Sequence, residues 1–347
     1  MTTIVLGVDR DPKGKLCDIL GSEADIYTRA TGGRNCAHSK TLARAAVVDG
    51  VFYDLFPYAP LGATQSIRQS LIRPAVVLHV PTFFSELEVL REKSLLNLDQ
   101  RLKVSTRCAL HLDLHSVVDE TYKAGLGEGG LSTTRHGLGP VFTSRSERTN
   151  LIVADLFDDG LLEQKMNALA QQYRNSHGVN NIDYDVVEEI DQLKPFCIDD
   201  VEYLDEAQNN NKKIVIEGAR SAMLDLVYGA YPSVSSSTTT FGGVMAGMNI
   251  NRRKIDDVIE VLKAYTTRFD DVTFANQFRE RSHEFDDSTG DSHRCGWLDL
   301  VPAKYSQRLD ILDDYGTTPV AVAYKRTAGS SETLDAFLPS AHHLARV

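Results

Sequence analysis

Three stretches of this chain carry residue types that can hold a phosphate. The first is Lys13-Gly14-Lys15, just after an apolar run. Its two ammonium groups flank a glycine that admits close approach to the backbone. A loop between strand and helix would also turn N–H groups toward the positive end of the helix. The Walker A spacing is absent, so the tripeptide reads equally as an exposed turn. The second stretch is LSTTRHGLGP, residues 131–140, which sets two threonines, Arg135 and His136 among glycines. Hydroxyls, backbone N–H groups and a guanidinium suit an anion, although so glycine-rich a tract also fits a floppy linker. The third is a run of six hydroxyl residues, Ser235 to Thr240, which is either a phosphate loop or a solvated low-complexity segment.

The elements around these stretches must position them. Residues 2–7 form a short β-branched run fit for a buried strand, Leu16 to Leu20 reads as the start of a helix, and Val8 to Lys15 is the loop between them. A second strand and a polar hairpin follow, ending at Ser39. Residues 45–48, 51–56 and 74–80 read as strands of the same sheet. Thr82 is placed to cap a helix through Leu90, with Phe83, Phe84, Leu87 and Leu90 on one face. Residues 104–114 alternate as a further strand. Residues 161–173, 186–193 and 201–209 read as amphipathic helices of a helical subregion over about 157–211. Lys213 to Glu217 is a strand entering the Gly/Ser/Thr tract. In residues 252–268, Ile255, Val258, Ile259, Leu262 and Tyr265 fall at helical spacing, which predicts a core-facing helix. Residues 309–312 and 320–324 supply late strands. With no internal repeat and no linker, the reading is α/β: a single large domain, residues 1–347, with a mainly parallel central sheet flanked by helices.

Composition bounds the partners. The chain has 347 residues, 42% hydrophobic and 24% charged, enough for a large core. A net charge of −11 and a pI near 5.4 argue against a nucleic-acid footprint and point to small molecules. The five cysteines (Cys17, Cys36, Cys108, Cys197, Cys295) are odd in number and lack a C-x-x-C pair, which fits neither a disulfide framework nor a zinc site. The chain starts on a strand pattern without a basic-then-apolar signal segment, and it shows no long apolar run. The expectation is a cytoplasmic protein with no membrane partner.

Taken together the tracts resemble the adenylosuccinate synthetase family. LGVDRDPKGKLCDIL is similar to the family's LGxQWGDEGKGKxxDxL, GGRNCAHS to GGxNAGHT, and LSTTRHGLGP to IGTTxxGIGP. EGARSAMLDLVYGAYPSVSSSTTTFGG is similar to EGAxxxxLDxxxGTYPYVTSSNTTxGG, and STGDSHRCGWLDLV and RLDILDD match TTGRxRRCGWLDxV and TKLDVLD less completely. The likeness covers nearly the whole chain, and HVPTFFSELEVL resembles the eukaryotic, fungal-type branch. It implies a P-loop-NTPase-like fold and a homodimer. It also implies a ligase that joins IMP to L-aspartate with GTP and Mg²⁺ through 6-phosphoryl-IMP.

The same resemblance assigns roles. His38 matches the general acid, Asn35 a hypoxanthine contact, and Thr134 and Thr239 holders of the IMP 5′-phosphate. Arg148 matches an arginine reaching across the dimer, and Arg220 lies where members use Gln or Asn. Lys13, Gly14 and Lys15 match the phosphate loop, and Asp310 the carboxylate facing the guanine. Thr289 and Arg294 fall in the aspartate-binding loop, and the backbone of Ala37 joins the metal site. The family's base and metal ligand is an Asp. Counting back from Lys13 puts Arg10 there, whereas a gap after Asp11 puts Asp11 there, and Asp9 is a third choice. Asp291, Ser292 and His293 stand where the family offers arginines to aspartate. Family members continue past LPSAHHLARV with a segment that finishes the GTP pocket, and that segment is missing from these residues. Two functions are therefore expected as alternatives: the ligase, or a paralogue that binds purine nucleotide without ligating aspartate.

Overall fold

The computed structural model describes residues 1–8, 13–21, 23–32, 46–48, 51–53, 69–92, 97–126, 137–178, 190–248, 250–263, 266–268, 294–296, 299–310 and 320–322. Its strands are β1 (Thr2–Gly7), β2 (Ile26–Arg29), β3 (Ala46–Val48), β4 (Val51–Tyr53), β5 (Gln69–Ile72), β6 (Leu102–Ser105), β7 (Cys197–Ile198), β8 (Ile214–Glu217), β9 (Asp257–Lys263), β10 (Thr266–Arg268), β11 (Arg294–Gly296) and β12 (Val320–Val322). Its helices are α1 (Lys13–Gly21), α2 (Val80–Glu92), α3 (Leu98–Arg101), α4 (Asp113–Leu126), α5 (Leu138–Glu147), α6 (Asp159–His177), α7 (Ile190–Leu193), α8 (Asp200–Asn209), α9 (Phe241–Met248) and α10 (Leu300–Leu309).

Eight strands form one sheet in the order β12-β9-β1-β8-β2-β5-β6-β7, and every pairing in it is parallel. Central strands of such a sheet are covered on both faces, so they read as unbroken apolar runs. Residues 2–7 of β1 are all buried, with Ile4, Val5 and Leu6 at 0% exposure. The α/β class and the mainly parallel sheet are as expected. On one side of the sheet Ile4, Leu6, Ile216, Val244 and Met248 pack together, and on the other Val5, Cys17, Tyr27, Val215 and Val261 do. A larger cluster joins α2, α4 and α6 through Phe83, Leu87, Leu110, Val118, Leu162 and Leu169.

Several sequence expectations are corrected. Residues 252–268 are not a helix: a 3-10 turn at Arg252–Lys254 leads into β9, paired to β1 on one side and β12 on the other. Val258, Ile259, Val261 and Leu262 satisfy a buried parallel strand as well as a helical stripe, and β-branched content decides for the strand. Residues 46–48 and 51–53 pair only with each other, antiparallel, and lie outside the main sheet. The expected strand at 74–80 is instead β5 at 69–72, because Pro74 has no N–H to continue a ladder. Beyond it only single bridges form, Val76 to Gly32 and Leu78 to Leu110. Helix α2 starts at Val80 rather than after Thr82, and His79 Nδ1 accepts from Thr82 N at 3.3 Å in the capping role. The strand expected over 104–114 stops at Ser105, and α4 begins at Asp113. Leu309 ends α10 instead of opening a strand. In the helical subregion α6 and α8 match expectation, whereas only Ile190–Leu193 of residues 186–193 lies among the described helices.

The far edge of the sheet is held by a buried ion pair. Arg73 after β5 and Asp200 at the start of α8 meet at 2.9 Å, both 1% or less exposed. Ser105 Oγ donates to Asp200 at 2.5 Å, and Arg107 joins it from the surface at 3.2 Å. Removing one partner strands the other charge in the interior. Asp200→Ala is therefore expected to lower the unfolding free energy by about 3–5 kcal/mol. Arg107→Ala, whose half-exposed guanidinium pairs more closely with the exposed Asp199 at 2.9 Å, should lower it by less than about 1 kcal/mol. Urea unfolding of both variants checks the difference, and equal small losses would contradict it.

Candidate functional site

In a parallel α/β sheet, ligands collect outside the carboxyl ends of the strands. Here β1, β8 and β2 lie side by side, and the groups beyond their ends converge. The Lys-Gly-Lys tripeptide is not in the preceding loop as expected. It forms the first turn of α1, where the Lys13 side chain is buried at 7% exposure. A buried ammonium needs an acceptor, and Lys13 Nζ donates to the carbonyl of Arg220 at 2.5 Å. Arg220 sits in the left-handed region, φ 53°, in the turn after β8. At the end of β8, Glu217 accepts from Tyr27 Oη at 2.6 Å and from Arg29 Nε at 2.9 Å, both on β2. Burial opposes ionisation of Glu217. The charges of Arg29 and Lys13 and the two hydrogen bonds outweigh it, holding the carboxyl below its ordinary range. Burial chiefly pushes the Tyr27 phenol well up, so it stays a donor.

The hydroxyl tract follows directly. Asp225, fully buried, accepts at Oδ1 from Val227 N and Tyr228 N at 2.9 and 3.0 Å. At Oδ2 it accepts from Thr239 N and Thr240 N at 2.6 and 3.3 Å. Thr239 Oγ1 donates to the carbonyl of Ser221 at 2.7 Å, and Ser235 Oγ donates to the carbonyls of Leu224 and Ser237 at 2.9 and 3.1 Å. The next residue, Phe241, opens α9, and its N–H is capped by Asp310 Oδ1 at 2.7 Å from the end of α10. Burial, with Asp225 nearby, pushes the Asp310 carboxyl up to about 6 against the lowering pull of that N–H.

Four expected site residues are thus brought into one chain of contacts. Lys13 holds Arg220, the adjoining Ser221 holds Thr239, and Asp310 caps the helix that begins two residues later. Two of them are engaged within the protein. Thr239 is 2% exposed and donates its hydroxyl inward, because the buried Ser221 carbonyl needs a donor. Asp310 is 1% exposed and acts as a helix cap rather than facing open space. Arg148 ends α5 at φ 65° with its side chain exposed. Gly14 and Lys15 follow Lys13 in α1, and Arg294 opens β11, paired with Arg268. Asp9, Arg10, Asp11, Asn35, Ala37, His38, Thr134 and Thr289 lie outside the described residues. Sequence reasoning missed Glu217 and Asp225. A carboxylate ending a buried strand, and an Asp set between leucines before a hydroxyl run, were the available signals.

A family model for adenylosuccinate synthetase matches residues 7–347. Adenylosuccinate synthetase of Pyricularia oryzae is 40% identical over 365 residues, covering 97% of this chain and 84% of that protein. The Sordaria macrospora protein of the same name is 41% identical, covering 94% and 80%. The fully ligated adenylosuccinate synthetase of Plasmodium falciparum superposes with a TM-score of 0.77 at 29% identity, over 90% of this chain and 75% of that one. The succinoaminodeoxyadenylate synthetase of cyanophage S-2L shares the fold, with a TM-score of 0.59 at 17% identity over 90% and 82%.

The raised Asp310 pKa has a definite sign. An unfolded Asp releases its proton near 3.9, whereas the folded protein keeps it to about 6. Stability from this group is therefore present at low pH and lost as pH rises between those values, by about 3 kcal/mol in all. Asp310→Asn keeps an acceptor for Phe241 N and cannot ionise. It should match the wild type below pH 4 and exceed it in stability by up to about 3 kcal/mol above pH 7. Unfolding curves across that range decide it, and a pH-independent difference would contradict it.

Proposed function

The chain belongs to the adenylosuccinate synthetase family, whose members are GTP-dependent ligases of IMP and L-aspartate in purine nucleotide synthesis, and from that premise we propose which residues of this chain do the work. The O6 of IMP is a poor leaving group, so it must be phosphorylated before the aspartate amine can displace it. That step calls for a base at N1 of the purine and an acid where the phosphate departs. We assign the base to Asp11 and the acid to His38.

The observation that carries the assignment of the phosphate site is the position of Lys13. It is buried in the first turn of α1 beyond the carboxyl end of β1, joined to the turn that leads into the hydroxyl tract. Lys13, Gly14 and Lys15 would take the GTP phosphates, with the helix N-terminus adding its partial positive charge. Thr134 and the hydroxyl tract would take the 5′-phosphate of IMP, and Asn35 and Arg220 its base. Arg148, exposed at the end of α5, would reach a second subunit of a homodimer. Thr289 and Arg294 would meet the aspartate carboxylates.

Magnesium would screen the GTP phosphates when bound. Among the described residues no group of three or more His, Cys, Asp or Glu is arranged to hold a metal ion. Its proposed ligands, Asp11 and the Ala37 carbonyl, lie outside them, so the steps above rest on protein groups alone. The odd, scattered cysteines support a cytoplasmic setting. No described helix is long and apolar enough to cross a membrane.

A second reading, a paralogue that binds purine nucleotide without joining aspartate, is favoured by one feature. Asp310 is engaged as a cap for α9 instead of standing open to a guanine.

Phosphate release with IMP, GTP and aspartate tests the ligase reading. Turnover that requires all three is expected, and nucleotide binding without turnover would move the assignment to the second reading. Lys13→Ala should lower kcat/KM by about 10²–10³-fold through loss of a charge-assisted phosphate contact. Asp11→Asn should abolish turnover, and unchanged turnover would reject Asp11 as the base.

A further inference from the structure

Asp225 has no part in the roles assigned above, yet it is the most completely satisfied carboxylate at the site. It is 0% exposed, and its two oxygens accept four backbone N–H groups drawn from both ends of the segment 227–240. A buried carboxylate is tolerated only where donors surround it, so the segment has to keep this shape for Asp225 to remain where it is. Backbone bonds lace the same segment shut. Ser235 N donates to the Leu224 carbonyl at 2.8 Å, Leu226 N to Ser237 at 3.2 Å, and Gly229 N to Asp225 at 2.9 Å. Gly229 is required at this closure, since a Cβ there would lie 2.4 Å from the Asp225 carbonyl oxygen. The inward bonds of Ser235 and Thr239 complete it. Ser236 and Thr238 remain nearer the surface, Thr238 exposed.

We infer that Asp225 is a positioning residue for nucleotide-monophosphate capture, holding the hydroxyl segment in its binding shape before a ligand arrives. The inference rests on the reading that this segment receives the IMP phosphate. Its physical basis is preorganisation: a loop ordered in advance does not lose conformational freedom on binding, so more of the contact energy reaches the affinity. The carboxylate takes the N–H groups of Thr239 and Thr240, so these two amides are engaged within the protein and fix the course of the segment.

Asp225→Asn preserves shape but sets an amide NH₂ against one pair of N–H groups. Calorimetry with IMP and with GTP, alongside steady-state kinetics, is expected to show IMP Kd and KM raised by about 10–100-fold. GTP affinity should stay within about twofold, and kcat at saturating IMP should be largely kept. IMP binding within twofold of wild type overturns the inference, as does an equal loss for both nucleotides, which is what a merely structural role would give. A wild type that does not bind IMP overturns the underlying functional reading as well. A second measurement needs no variant. In the ligand-free wild type, the amides of Val227, Tyr228, Thr239 and Thr240 should be protected from hydrogen exchange before IMP is added. Free exchange until IMP binds would overturn the proposal.

Discussion

A buried positive charge at the carboxyl end of a parallel sheet must be answered by the protein before any ligand answers it. Lys13 meets that constraint with the carbonyl of Arg220, and the rest of the site follows from the bond. To present its carbonyl, Arg220 takes a left-handed conformation, which costs a residue with a Cβ about 1–2 kcal/mol. A charge-assisted hydrogen bond, roughly twice the strength of a neutral one, offsets that cost. The turn so formed sends the chain from the sheet into Ser221 and Asp225, and so determines where the hydroxyl segment lies.

The second positive charge, Arg29, is answered by Glu217 on the neighbouring strand. Strand β8, which ends in Glu217, pairs with β1 on one side and β2 on the other. Its carboxylate accepts from Arg29 and Tyr27 of β2 and also feels the charge of Lys13 in α1. The arrangement holds both cations in place.

Much of this was legible in the chain itself, for physical reasons that differ from element to element. Strands β1 and β8 were readable because a strand buried on both faces is a nearly continuous apolar, β-branched run. Helices α6 and α8 were readable because one face meets solvent, which imposes a 3.6-residue period. The same rule misleads at β9. There an apolar stripe of mixed spacing suits either period, and its β-branched residues fit it for the place between β1 and β12. Helix α10 was missed because its buried residues, Pro302 and Ser306, are not apolar markers. Ser306 is buried because its hydroxyl donates to Glu260 on β9, a contact no local pattern reveals. At the site, the burial of Lys13 was not legible, since its acceptor lies 207 positions away. Asp225 was invisible for a similar reason: the amides it gathers lie up to 15 residues beyond it.

Asp310 has a structural role that its motif does not reveal. Reading the edge of a guanine takes two acceptors side by side, one for the ring N–H and one for the amino group. In this arrangement Oδ1 is occupied by Phe241 N, and Oδ2 is buried without a hydrogen-bond partner. This placement has one cause. Helix α10 extends to Leu309, where a strand was expected to open, which brings Asp310 beneath the N-terminus of α9 and away from solvent. From there its carboxylate holds the start of α9 against the end of the hydroxyl segment.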